Sequence, residues 1–184
     1  MIGVLVSGSG TNLQALLDAG LPVGAVASNT AGVQALERAE RASVAAAVFP
    51  EEHYADRNER DKAMADWLDE HGVELVVCAG YMQLLSRGFL NRFPCINVHP
   101  SLLPAFPGLD AVGQALEAGA KETGVTVHFI DEGVDTGPVI AQEPVAIEPR
   151  DTVESLHERL HAVEHRLLPE AVSLYLAGAI SSRP

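Results

Sequence analysis

The chain has 184 residues, 47% of them hydrophobic, enough for one sizeable core and too few for two full domains. Its formal net charge is −13 and its only lysines are Lys62 and Lys121, which argues against a nucleic-acid partner, whose phosphates demand clustered cations. No apolar run reaches the ~18 residues of a membrane span, so no membrane partner is expected; the apolar start MIGVLVSGSG lacks the basic flank of a signal peptide and reads as a first strand, and two cysteines in apolar runs, read as reduced, suggest a cytoplasmic protein.

Short β-type runs alternate with helical stretches. IGVLV (2–6) reads as a first strand, 12–19 as a short helix stopped by Gly20, VGAVAS (23–28) as a strand and 31–42 as a helix. VAAAVF (44–49) is the third strand. From Asp56 to Glu70, Ala63, Met64, Trp67 and Leu68 recur at helical spacing, and Gly72 ends that helix. VELVVCA (73–79) is a strand, a short helix follows Ser86, and CINV (95–98) is the fifth strand. A helix capped by Asp110 runs to Ala118. GVTVHFID (124–131) and PVIAQEPVAI (138–147) are strands with only turn residues between them, so they are expected to pair as a hairpin. The last helix opens at DTVE, where Asp151 and Glu154 have capping-box spacing, and runs to Ala177.

This order predicts an α/β fold: one domain, 1–184, with a doubly wound, mostly parallel sheet and an antiparallel C-terminal hairpin. Cys78 and Cys95 lie inside apolar strands and are expected to be reduced packing residues. Ligands of such sheets sit beyond the carboxyl ends of the strands, which directs attention to residues 7–12, 28–31, 79–86, 97–108 and 131–137.

Three of those segments carry chemistry. VSGSGTNLQAL (6–16) is neither a dinucleotide fingerprint, since Leu13 stands where the third glycine belongs, nor a P-loop. It is either a plain βα turn or a tight turn whose amides face a single phosphate at the helix start. In CINVHPSLLPAFPG (95–108), Asn97 and His99 project to the same side of a strand, and Pro100, Pro104 and Pro107 stiffen the loop beyond it. Both side chains can donate to a developing oxyanion. DEGVDTGPV (131–139) is either an ordinary polar turn or a loop that brings Asp135 beside His99. Two further patterns carry less. His157, His161 and His165 share one helix face, but ligands one turn apart need another from elsewhere, and Glu158 and Glu164 read as solvated charges, so no metal is expected. Ser101 near His99 lacks the Gly-x-Ser-x-Gly elbow of a hydrolase.

Taken together, SGSGTNLQAL, AGYMQLLS, INVHPSLLPAFPG and HFIDEGVDTGPVIAQ resemble the folate-dependent formyltransferases, and the likeness extends more weakly over nearly the whole chain. HPSLLP with a downstream Asp-x-Gly-Pro is the family's mark, and SGSGTNLQ resembles the phosphate loop of the branch that acts on glycinamide ribonucleotide in purine biosynthesis. The resemblance implies transfer of a formyl group from 10-formyltetrahydrofolate, the co-substrate, to the amine of that nucleotide, with no metal and no covalent intermediate. It implies catalysis by Asn97, His99 and Asp135, and a phosphate cradle of Gly10, Thr11 and Asn12. It assigns the folate to Arg57, to Met82, Gln83, Leu84 and Leu85, to Asn97, and to the loop Asp131, Glu132, Gly133, Val134 and Asp135. It assigns the ribose hydroxyls to Glu164, with His161 to Val163 nearby. Gln83 stands where relatives often carry an arginine, which removes a charge from the folate tail. A monomer or weak homodimer is expected. The alternatives are a 10-formyltetrahydrofolate hydrolase, which normally carries a further N-terminal domain, and a non-catalytic nucleotide-binding module. A tRNA formyltransferase would carry an additional basic domain.

Overall fold

In the computed structural model, which describes residues 1–181, the chain divides into two units, Met1–Ile96 and the part from Asn97 onward. The first unit contains β1 (Ile2–Val6), α1 (Thr11–Asp18), β2 (Val23–Ser28), α2 (Gln34–Arg41), β3 (Ala45–Val48), a 3₁₀ turn at Glu51–His53, α3 (Arg57–Glu70), β4 (Leu75–Cys78) and α4 (Arg87–Arg92). β1 lies between β2 and β4, β3 flanks β2, and every one of these pairings is parallel. Parallel strands covered on both faces read as continuous apolar runs, and β1 (IGVLV) and β4 (LVVC) are buried at every position. The alanine-rich β3 is only half-buried.

β5 (Cys95–His99) begins in the first unit and ends in the second. The second unit continues with α5 (Ala111–Glu117), β6 (Glu122–Phe129), β7 (Val139–Ala146) and α6 (Val153–Leu176). β6 and β7 pair antiparallel from Glu122↔Ala146 to His128↔Val139, with an irregularity between Val127 and His128. β6 is buried from Thr123 to Phe129, whereas exposure largely alternates along β7. α6 buries Leu156, Leu160, Glu164, Leu167, Leu168, Ala171 and Val172, a stripe at helical spacing.

The fold class is the expected one: α/β, mostly parallel, with an antiparallel C-terminal hairpin. Three local expectations need correction. α2 starts at Gln34 rather than 31, because Gly32, at φ 69, is a turn residue. β6 runs 122–129, since residues 130 and 131 already belong to the turn. The capping box of α6 is Thr152 with Ser155, each side chain bonded to the other's backbone N–H. Asp151 instead accepts from the Ser155 hydroxyl, the Glu148 N–H and Arg159. Cys78 and Cys95 are buried free thiols. Among the described residues no helix is long and apolar enough to cross a membrane.

Candidate active site at the end of β5

β5 delivers Asn97 half-buried and His99 buried at its carboxyl end. The loop after β6 returns Asp135, so that Oδ2 lies 3.4 Å from Nδ1 of His99. Asp135 sits at φ 54, a left-handed conformation that few non-glycine residues adopt, and that backbone turn aims its carboxylate inward. Gly108 N–H donates to the same Oδ2 at 2.8 Å. The second oxygen, Oδ1, lies 3.6 Å from Nε2 of His128.

His128 is a member of the cluster that the sequence does not flag. It is 1% exposed, and its Nδ1–H donates to the Phe129 carbonyl at 2.8 Å. A carbonyl only accepts, so Nδ1 carries the proton and Nε2 accepts from the Asn97 amide at 3.2 Å. Asn97 is thereby held with its nitrogen toward His128, and its second amide hydrogen remains available to donate. His99 in turn donates from Nε2 to the Phe106 carbonyl at 2.8 Å. Its two ring nitrogens thus face a carbonyl and a carboxylate, and the imidazolium is the form with a donor for each. Burial opposes ionisation of Asp135, but the neighbouring His128, the Gly108 N–H and the charge of His99 outweigh it and hold the carboxyl below its ordinary range.

The prolines are only part of what stiffens the intervening loop. Ser101 donates to the Ala105 carbonyl at 2.5 Å, which gives that hydroxyl a structural task. Thr126 on β6 donates to the Ser101 carbonyl at 2.6 Å and accepts from Leu103 N–H at 3.1 Å. Gln142 on β7 donates to the Leu103 carbonyl and to Thr126 Oγ1, at 2.9 and 2.8 Å. Leu103–Pro104 is a cis bond, and Phe106, at φ 52, presents its carbonyl to His99. Asp131 accepts from Gly133 N–H and the Thr136 hydroxyl, so it shapes the turn that carries Asp135.

In the first unit, Gly10 is the N-cap of α1 at φ 70, and no side chain caps the helix. The first amides of a helix have no intrahelical acceptor, so a helix start of this kind can receive an anion. A Cβ at Gly10 would meet Ala35 Cβ at 2.6 Å and Ala35 Cα at 2.8 Å, so glycine is required here by the approach of α2 as well as by φ. α2 also grips the loop through Ala35 N–H on the Gly8 carbonyl and Arg38 Nε on the Ser9 carbonyl, at 3.1 and 2.8 Å. The segment after β4 is anchored at Met82, whose N–H donates to the Ser7 hydroxyl at 2.9 Å. Met82 and Leu84 are exposed and Gln83 and Leu85 half-buried. Arg57 is exposed in the first turn of α3.

On α6, Glu164 is 5% exposed, which corrects its reading as a solvated charge; Glu158 is exposed as expected. The rings of His157, His161 and His165 stack, with centroids 5.2 and 5.9 Å apart. No group of three or more His, Cys, Asp or Glu able to hold a metal occurs among the described residues.

Comparison with known proteins bears on this arrangement. The formyl transferase family model matches residues 1–172, across both units. The chain is 45% identical over 189 residues to the trifunctional purine biosynthetic protein adenosine-3 of Chironomus tentans, covering 97% of this chain but 14% of that much longer protein. It is 39% identical over 183 residues to phosphoribosylglycinamide formyltransferase of Bacillus subtilis (strain 168), covering 94% of this chain and 93% of the relative. Among solved structures, glycinamide ribonucleotide transformylase 1 of Symbiobacterium toebii superposes with a TM-score of 0.94 at 50% identity, covering 96% of this chain and 87% of the other. With a family match over nearly its whole length and bacterial relatives of its own size, the chain belongs to the formyl transferase family.

Proposed function

We propose that the chain, 1–184 acting as one formyltransferase domain, transfers the formyl group of 10-formyltetrahydrofolate to the amine of glycinamide ribonucleotide in purine biosynthesis. The observation that carries this reading is the cluster of Asn97, His99, His128 and Asp135, an amide and two imidazoles gathered around an acid, in a chain of this family. The amine adds to the formyl carbon to give a tetrahedral oxyanion, whose collapse breaks the bond to folate N10 as the amine's proton passes to N10. Asn97 donates its free amide hydrogen to the tetrahedral oxyanion. His99, held by Asp135 at 3.4 Å rather than at close hydrogen-bond distance, offers its Nδ1 proton on the same side, and Asp135 balances the charge and relays the amine's proton. Gly10, Thr11 and Asn12 take the nucleotide phosphate, and Glu164 the ribose hydroxyls. Arg57, the 82–85 segment, Asn97 and the 131–135 loop take the folate. No step is assigned to a metal. The activity is placed in the cytoplasm, in a monomer or weak homodimer.

The deciding experiment is 10-formyltetrahydrofolate turnover with and without glycinamide ribonucleotide. Tetrahydrofolate is expected only when the nucleotide is present. Comparable turnover without it would identify a hydrolase, and nucleotide binding with no folate chemistry would identify a binding module.

A further inference from the structure

The inward face of α3 runs Arg60–Met64–Leu68 beside Asp61–Ala65, each line at helical spacing. Arg60 and Asp61 are charged, yet they are 1% and 0% exposed. Adjacent helical residues do not face each other, so the guanidinium folds back, placing Nε and Nη2 on Asp61 Oδ1 at 2.9 and 2.7 Å. What remains of both groups is directed at one short segment. Nη1 of Arg60 donates to Gln83 Oε1 at 3.3 Å and Nη2 to the Leu84 carbonyl at 3.2 Å. Oδ2 of Asp61 accepts from Ser86 N–H at 2.5 Å. Ser86 in turn caps α4, its side chain accepting from Phe89 N–H.

A buried ion pair is a poor way to stabilise a fold, since apolar residues of similar volume often serve as well or better. What this pair does that apolar residues would not is hold the backbone of 83–86 from behind. Meanwhile the Met82 and Leu84 side chains, 64% and 57% exposed, are turned to solvent. It also orients Gln83. With Oε1 committed to Arg60, the amide nitrogen is the end left to donate to a ligand.

We propose that Arg60 and Asp61 are positioning residues for the formyl donor, setting the 83–86 backbone and the Gln83 amide so that donor affinity, and neither the chemistry nor nucleotide affinity, depends on them. The proposal rests on the proposed binding of folate by residues 82–85. A lysine at 60 keeps a cation beside Asp61, but one ammonium does not reproduce the planar fork that serves Asp61, Gln83 and Leu84 together. Asp61→Asn removes the charge from the acceptor of Ser86 N–H.

The test is steady-state kinetics of Arg60→Lys and Asp61→Asn, with calorimetric binding of tetrahydrofolate and hydrogen exchange at the Ser86 amide. Losing hydrogen bonds to charged groups is expected to raise the KM for 10-formyltetrahydrofolate and the Kd for tetrahydrofolate by about tenfold or more. The nucleotide KM, and kcat at saturating donor, should stay within about twofold, and Ser86 should exchange faster in Asp61→Asn. A role confined to folding would instead lower the active fraction and leave both KM values in place, which overturns the proposal, as would a rise in nucleotide KM alone. Should Arg60→Lys fail to fold, Asp61→Asn decides by the same measurements. Leu84→Ala separates the two readings. If it raises the donor KM while the α3 variants do not, the positioning role fails and the segment's folate assignment stands. If it and the α3 variants all leave the donor KM unchanged, that assignment fails and the positioning role with it.

Discussion

Asp135 is the residue on which the candidate site turns, because it is tied to both histidines and to Gly108 at once. Its left-handed backbone suggests the cleanest probe: Asn is among the residues most tolerant of that conformation, so Asp135→Asn removes the charge with little backbone cost. We expect kcat to fall about 10²-fold or more in a protein that stays folded but melts somewhat below wild type at neutral pH, and the same loss of kcat in His99→Ala. Near-normal kcat in folded His99→Ala would remove His99 from the mechanism. The folded-state pKa of Asp135 lies below the ordinary 3.8, so its stabilising contribution is complete above that value and is lost as the pH falls through the lower folded one. An acid titration should show wild type and Asp135→Asn converging in stability only below pH 3.8, and convergence at higher pH would contradict the network. Asn97, His99 and Asp135 are legible in the sequence because polar residues break apolar strands or crowd a turn. His128 is hidden: within TVHF a histidine reads as a satisfied strand residue, and no pattern tells that Asn97 will stand opposite. The Phe106 carbonyl and the Gly108 N–H are hidden for a deeper reason, since backbone groups carry no residue identity.

At the scale of elements, the loop before α1 shows how one glycine serves two demands. Gly10→Ala meets a left-handed φ, about 1–2 kcal/mol for an ordinary residue, together with Ala35 at 2.6 Å, so it should destabilise the protein and impair nucleotide use together. That variant therefore says little about phosphate. Thr11→Asp separates the demands. A carboxylate in the first turn of a helix favours the helix by a few tenths of a kcal/mol, about 0.3–1 at an exposed site, but it repels a phosphate dianion. We expect unchanged or slightly higher stability with a nucleotide KM raised about tenfold or more and a folate KM little changed. A folate-confined defect would assign the loop to the other ligand. The strands and long helices are readable because their hydrophobic periods are strong, and β1, β2 and α3 need almost no adjustment. The start of α6 is not: Asp151–Glu154 and Thr152–Ser155 share the same spacing, and only the geometry shows which pair closes the box. Nor is the polar end of α3, because Arg60 and Asp61 fall in a run of charges, RNERDK, that reads as a solvated face.

For the molecule as a whole, the buried thiols report on global opening. Cys78 and Cys95, 3% and 2% exposed, lie in β4 and β5, and Cys95 donates to the Phe93 carbonyl. Burial pushes the Cys78 thiol from 9.0 up to about 12, raises that of Cys95, and raises the Tyr81 hydroxyl as well. A thiolate is the reactive species, so both cysteines should resist a disulfide reagent in native buffer and both should react in denaturant. The same shifts set the alkaline limit of stability. A group whose folded pKa is raised contributes in full below its unfolded value and loses that contribution as the pH climbs toward the folded one. For Cys78 the window runs from 9.0 to about 12. Urea unfolding of the wild type should therefore show a falling midpoint above pH 9.0. Cys78→Ala will start lower because it opens a small cavity, but its decline should be shallower, since one of the ionising groups is gone. Parallel declines in the two proteins would mean that Cys78 does not ionise on unfolding in this range. Rapid modification of either thiol in native buffer would mean that β4 and β5 open locally rather than with the rest of the core.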